Sequence, residues 1–327
     1  MLIRFFRSSY IIQYALLAII AAALWAGAFI QPQNMPEGVE YVTPLYNLLA
    51  DLLHEFPRIM VSLAFVLILL EAFILNSILI YHDMVPKNSL LPSFIFILLM
   101  SSAPGLLNLY PVLVIMPLMI FFLHTVFKMY ELSDNTNTVL SAGLLLSVSS
   151  MFYGQASLLL IFFWIIFLIF RILSWREWLI SIISFIVPYL YLLAAYLWFE
   201  DMDKVYLAYG SFYSDILVSV YRTAIFQYII WGIIILLIIL PSFFTVLSSL
   251  GTYNINLRKK MSVTAWLVVF AGILVFTRGR IEFNSLFFLP ATILVSHFLS
   301  NLKKTAWHDV VIMILLVLII IHNFISL

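Results

Sequence analysis

The sequence predicts an all-α, polytopic transmembrane helical bundle with about eleven membrane helices, within a range of nine to eleven. Three observations carry this prediction. First, 65% of the 327 residues are hydrophobic and only 9% are charged, with a mean hydropathy of +1.15. Soluble domains carry about 25% charged residues, so an aqueous globular fold is excluded. Second, apolar segments of spanning or near-spanning length fall at 11–30, 57–81, 90–104, 111–129, 139–152, 156–171, 178–198, 225–250, 262–276, 285–299 and 310–326. Third, lipid offers no water to the backbone, so a segment that spans it must satisfy its own amides, which in an open chain means a helix.

The first segment follows Arg4 and Arg7 and resembles a signal peptide in charge pattern, with Ala26-Gly27-Ala28 near its end. Its apolar run of about 20 residues is long enough to cross a ~30 Å hydrocarbon core, and signal-peptide cores run about 7–15 residues. It is therefore expected to be an uncleaved first helix. The next loop, 31–56, opens with Pro32, Pro36 and Gly38. A short helix is expected after it, with Thr43 as N-cap and Pro44 at the first helical position. Leu45, Leu48, Leu49, Leu52, Leu53 and Phe56 recur at helical spacing, with Asn47, Asp51 and Glu55 on the other face. That pattern is expected of a helix lying in the membrane interface. A second such helix is expected over 211–222, where Ser211, Asp215, Ser219 and Arg222 share a face.

Loop charges set the orientation. With the N-terminus inside and the spans alternating, the inside holds Arg4, Arg7, Lys87, Lys128, Arg171, Arg176, Arg258, Lys259, Lys260, Lys303 and Lys304. The outside then holds five basic residues (Arg58, Lys204, Arg222, Arg278 and Arg280) and nine of the fifteen acids. This bias predicts a cytoplasmic N-terminus, and the localisation expected is a bacterial inner membrane. Segments 139–152 with 156–171, and 262–276 with 285–299, are short. Each pair is expected to form either two tilted spans or a hairpin that returns to the side it entered from. No soluble domain is found, so residues 1–327 read as a single integral membrane domain.

Composition excludes other classes. Net charge is +1 and no basic patch with interleaved aromatics exists, so nucleic acid is not an expected partner. Cysteine is absent, and the six histidines lack helical metal-ligand spacing, so no metal site is expected. There is no glycine-rich phosphate loop or nucleophile elbow. Membrane lipids are the expected partners, with other envelope proteins if the chain is an assembly subunit.

Four groups of residues can carry chemistry. Glu37 and Glu40 lie three apart in the first outer loop, where a carboxylate can act as a general base or hold a divalent cation. In a solvated loop they are simply acidic surface. Arg278 and Arg280 flank Gly279 in Thr277–Asn284, with Glu282 beside them. A guanidinium fork binds phosphate bidentately, so an anionic ligand is one expectation, and a headgroup contact or an ion pair with Glu282 is the other. Glu71 lies ~15 Å from one end of its predicted helix, with Asn76 nearer that end and His124 at a comparable depth on another segment. A buried intramembrane carboxyl is either a proton or cation site or a neutral hydrogen-bonding group between helices. Ser174-Trp175-Arg176-Glu177-Trp178 reads as an interface anchor.

Two resemblances follow from these residues. Taken as a whole, and most clearly over Ser141–Arg171 and Ser174–Trp178, the chain resembles a family of multi-pass inner-membrane proteins from Bacteroidota, a likeness that carries no function with it. In layout it is similar to the C-type (GT-C) membrane glycosyltransferases, which have an N-in bundle, interface helices and a catalytic carboxylate in the first outer loop, and a basic residue for the donor phosphate in a late outer loop. That resemblance implies Glu37 or Glu40 as the acceptor-activating or cation-holding carboxylate. It implies Arg278 and Arg280 as ligands of a polyprenyl-phosphate sugar. The first acid, Glu37, comes seven residues past Ile30, and Ile281 rather than an aromatic follows Arg280; both depart from the family pattern. A transporter or flippase using Glu71, or a non-catalytic subunit of an envelope assembly, are the alternatives.

Overall fold

A computed structural model describes residues 2–32, 43–53, 55–131, 134–172, 174–198, 232–275 and 285–325. Helix is the only regular structure among them. The helices are α1 (Leu2–Phe6), α2 (Ile11–Ile30), α3 (Pro44–Leu53), α4 (Pro57–Tyr81), α5 (Leu91–Met100), α6 (Pro111–Met129), α7 (Thr136–Phe152), α8 (Leu159–Phe170), α9 (Trp175–Trp198), α10 (Leu240–Ser249), α11 (Ile255–Val275), α12 (Phe288–Asn301) and α13 (Ala306–Ile325). Among the described residues, six helical stretches are long and apolar enough to cross a membrane: Ile11–Ile30, Pro57–Tyr81, Pro111–Met129, Trp175–Trp198, Gly232–Thr252 and Ala306–Phe324. Large apolar side chains such as Ile11, Leu190, Phe244 and Met313 lie on their outer faces, as a lipid-facing surface requires.

Helix α5 is the centre of the packing. It lies between α4 and α12, and every residue from Leu91 to Met100 is buried. The sequence predicts a spanning segment at 90–104, but only ten residues are helical, about 15 Å of helix. Ser101, Ser102, Pro104 and Gly105 end it, and the chain reaches α6 through irregular backbone with a single tight turn at Pro104–Leu106. Proline supplies no amide to an α-helical turn. The surrounding protein meets part of the demand this creates: Asn323 Nδ2 donates to Ser101 O at 3.1 Å, and Trp25 Nε1 donates to Ser101 Oγ at 3.0 Å.

Helix α11 departs from expectation in the other direction. The predicted segment began at 262, but the helix begins at Ile255 and takes in Arg258, Lys259 and Lys260. Its 21 residues make about 31 Å of helix. The helix is thus longer than the predicted apolar segment, while the apolar stretch after Lys260 stays as short as expected. The charges masked the first two turns because Lys260 finds buried partners, described below.

Hydrogen bonds gather the connections at two ends of the bundle. At the N-terminal end, Leu90 N–H donates to Phe6 O at 2.8 Å, Arg7 Nη2 donates to Leu302 O at 2.7 Å, and His297 Nδ1 lies 2.6 Å from Met84 O. At the far end, Thr43 Oγ1 donates to Phe152 O and Tyr46 Oη to Leu109 O, both at 2.8 Å. The short helix expected in the first outer loop is therefore present as α3, docked on the turns of α6 and α7. Thr43, expected as an N-cap, gives its hydroxyl proton to another segment. Tyr46 and Ala50 face the protein, while Leu48 and Leu52 point outward at 59% and 76% exposure.

Candidate functional site

The residues proposed from sequence fall into two sets. Glu37, Glu40, Arg278, Arg280 and Glu282, with the 211–222 stretch, lie outside the described residues. Glu71, Asn76 and His124 lie within them.

Glu71 and Asn76 sit on the buried stripe of α4 that includes Ile68, Ala72, Leu75 and Leu79. Glu71 is fully buried, and neither carboxylate oxygen has a hydrogen-bond partner; the same holds for Asn76 Oδ1. Nearby, Ser93 Oγ donates to Ala72 O at 2.9 Å, which brings the first turn of α5 to the level of Glu71. No hydrogen bond links Glu71 or Asn76 Oδ1 to His124.

His124 instead joins a row of side chains at the N-terminal end. Its Nδ1 lies 3.0 Å from His82 Nε2. His82 Nδ1 lies 3.1 Å from Lys260 Nζ, and Lys260 Nζ donates to Glu131 Oε1 at 2.6 Å. Asn256 Nδ2 closes the row on the same oxygen at 3.2 Å. The donors fix the proton positions. An ammonium only donates, so His82 Nδ1 accepts. The neutral His82 ring then carries its proton on Nε2 and donates it to His124 Nδ1. Burial first, and then the Lys260 charge, lower the His82 pKa to about 3. For Glu131, burial acts upward but is outweighed by the bonds from Lys260 and Asn256, which leave its pKa below the usual carboxylate range. Lys260 is 2% exposed, a buried charge that its ion pair and ring acceptor compensate.

A second group adjoins it. His297 Nδ1 meets Met84 O, two residues past His82, while its Nε2 lies 3.0 Å from Tyr253 Oη and 3.2 Å from Asn301 Nδ2. Together the two groups tie α4, α6, α11 and α12 at one end. Neither was legible as a motif, because the partners on different elements are 42 to 213 positions apart. The one local signal was Lys260, the last residue of a basic run that opens an apolar segment.

Two histidines and a glutamate in one row suggest a metal site, yet the Lys260 ammonium stands between His82 and Glu131, where a metal would have to sit. No group of three or more His, Cys, Asp or Glu able to hold a metal ion occurs among the described residues.

Comparison with known proteins finds no match: no family model, no curated protein and no solved structure is significantly similar to this chain. The site therefore rests on its own geometry. That geometry offers a buried carboxyl without a partner in the bundle interior, a directional polar row at the N-terminal end, and a helix-covered far end bordering the acidic loop.

Proposed function

We propose that the chain is a bacterial inner-membrane protein that crosses the membrane about eleven times, within a range of nine to eleven, with its N-terminal end cytoplasmic. On this reading it acts at its far, extracytoplasmic face as a GT-C-like glycosyltransferase on a polyprenyl-phosphate-linked sugar. The observation that carries this reading is the docked helix α3. Its bonds to Leu109 O and Phe152 O anchor the first outer loop to the bundle, and its outward Leu48 and Leu52 suit the interface, where a lipid-linked substrate would approach. Glu37 or Glu40 would activate the acceptor hydroxyl, with or without a divalent cation. Arg278 and Arg280 would hold the donor phosphate, with Glu282 orienting them. Binding of polyprenyl phosphate to the protein in lipid nanodiscs tests this. The pair Arg278→Ala and Arg280→Ala should weaken binding at least tenfold, about 1.4 kcal/mol; unchanged affinity would end the reading.

A second reading is favoured by one specific observation. Glu71 is a fully buried carboxyl with no hydrogen-bond partner, which is a functional feature of many membrane transporters. In a proton-coupled transporter or flippase, Glu71 would load and release the proton. Proteoliposomes carrying Glu71→Gln should then lose proton-coupled uptake while keeping wild-type stability. Uptake equal to wild type would exclude a proton role for this group.

A further inference from the structure

The Ser174–Trp178 anchor stands beside a group of cations that neither reading uses. Lys259 donates to Ile169 O, two residues before Arg171. Arg258 precedes Lys259 on α11, and the charges of Arg171 and Arg258 both act on Lys259. Arg171 and Arg258 are exposed. None of the three forms an ion pair with a carboxylate among the described residues. Of the nearby acids, Glu131 is engaged with Lys260 and Asn256 and Asp134 with Thr136, while Glu177 in the anchor forms no ion pair with any of the three cations among the described residues.

The backbone at Arg171 is unusual. It ends α8 in the left-handed region, at φ 59° and ψ 38°, with Ile172 N–H donating to Phe167 O at 2.8 Å. Glycine normally fills this place in such a helix ending. Here the residue is an arginine, on the same turn whose Ile169 carbonyl Lys259 reaches from α11. The adjoining turn fixes the depth. Trp178 Nε1 donates to Ile172 O at 3.3 Å and its ring stacks on Trp164, while Trp175 is 75% exposed. Tryptophans so placed mark the headgroup level of a bilayer.

We propose that Arg171, Arg258 and Lys259 form a binding site for the phosphate of an anionic phospholipid headgroup. Two planar forks and an ammonium without carboxylate partners supply charge-assisted donors from two helices. An anionic bilayer surface supplies the complementary charge. The site lies at the end of the bundle opposite α3, so it is independent of the proposed transferase chemistry.

Full-length protein in nanodiscs tests the proposal, with retained lipid read by native mass spectrometry. Wild type should retain phosphatidylglycerol in preference to phosphatidylcholine; equal retention overturns the site. Arg171→Asn with Arg258→Gln should lose about 30-fold in that preference, the effect of removing two cations at an anionic surface. Asparagine tolerates the left-handed backbone, so the helix ending is kept. Arg171→Lys with Arg258→Lys should retain most of the preference, which separates charge from folding. Wild-type preference in the neutral variant overturns the site. So does displacement of the lipid by millimolar inorganic phosphate, because the ligand would then be a free anion.

Discussion

The ring of His82 accepts a hydrogen bond from a cation, and this fixes both its charge and its tautomer. Burial and then the Lys260 charge hold its pKa at about 3, whereas an unfolded histidine titrates near 6.5. Between those values the unfolded chain binds more protons than the folded one. The stability owed to the neutral ring is therefore complete above about pH 6.5 and is lost as pH falls toward 3. His82→Gln keeps an acceptor for Lys260 and a donor for His124 but cannot titrate. Its melting temperature should fall less than that of wild type between about pH 7 and about pH 4; equal acid sensitivity in the two proteins would show that other groups dominate. Glu71 presents the opposite case. A buried polar group with no partner costs about 1–3 kcal/mol, so Glu71→Leu should raise the thermal stability of the detergent-solubilised protein.

At the scale of elements, the contact of α7 with α9 is made by small residues. A Cβ at Gly143 would lie 1.8 Å from Ser184 Oγ, 2.9 Å from Ser184 Cβ and 3.2 Å from Ser181 O. Ser147 Oγ donates to Phe185 O at 2.6 Å, and Ser150 Oγ and Tyr189 Oη are hydrogen-bonded at 2.6 Å. Close backbones and hydroxyl bonds are what hold helices together where lipid removes the hydrophobic drive. Gly143→Ala should therefore destabilise the protein by about 1–3 kcal/mol through overpacking. Adding Ser184→Gly removes the two nearest atoms and should recover at least half of that loss in thermal unfolding. A double variant no better than Gly143→Ala alone would place the strain elsewhere. The small residues of α7 were visible in the sequence, but their partner was not. The loop between α7 and α8 invites a hairpin, yet α7 packs chiefly on α6 and α9.

For the whole molecule, the connecting segments gather at two ends. The segments that carry Arg7, Glu131, Arg171, Lys260 and Lys304 meet at one end, and α3 covers the other. Which end faces the cytoplasm can be read directly, because the chain has no cysteine and each introduced cysteine is the sole label site. In intact cells an impermeant maleimide should modify Leu52→Cys on α3 and spare Lys304→Cys. The reverse pattern would invert the orientation and move the acidic loop to the cytoplasm, away from any extracytoplasmic substrate.

Hydropathy and charge by themselves determined that this chain is a helical membrane bundle, where most of its helices lie, and that a short helix follows Pro44. These are local properties: each depends on the transfer free energy of a window of neighbouring residues. Only the tertiary structure decided that α5 stops after ten residues, that α11 begins at Ile255, and that His124 pairs with His82. Those outcomes depend on which distant group meets each polar atom. Ser101 can end a helix inside the bundle because Trp25 and Asn323 reach it, and Lys260 can sit inside a helix bundle because His82 and Glu131 do. A sequence window sees the cost of burying such a group but not the partner, tens of positions away, that offsets it.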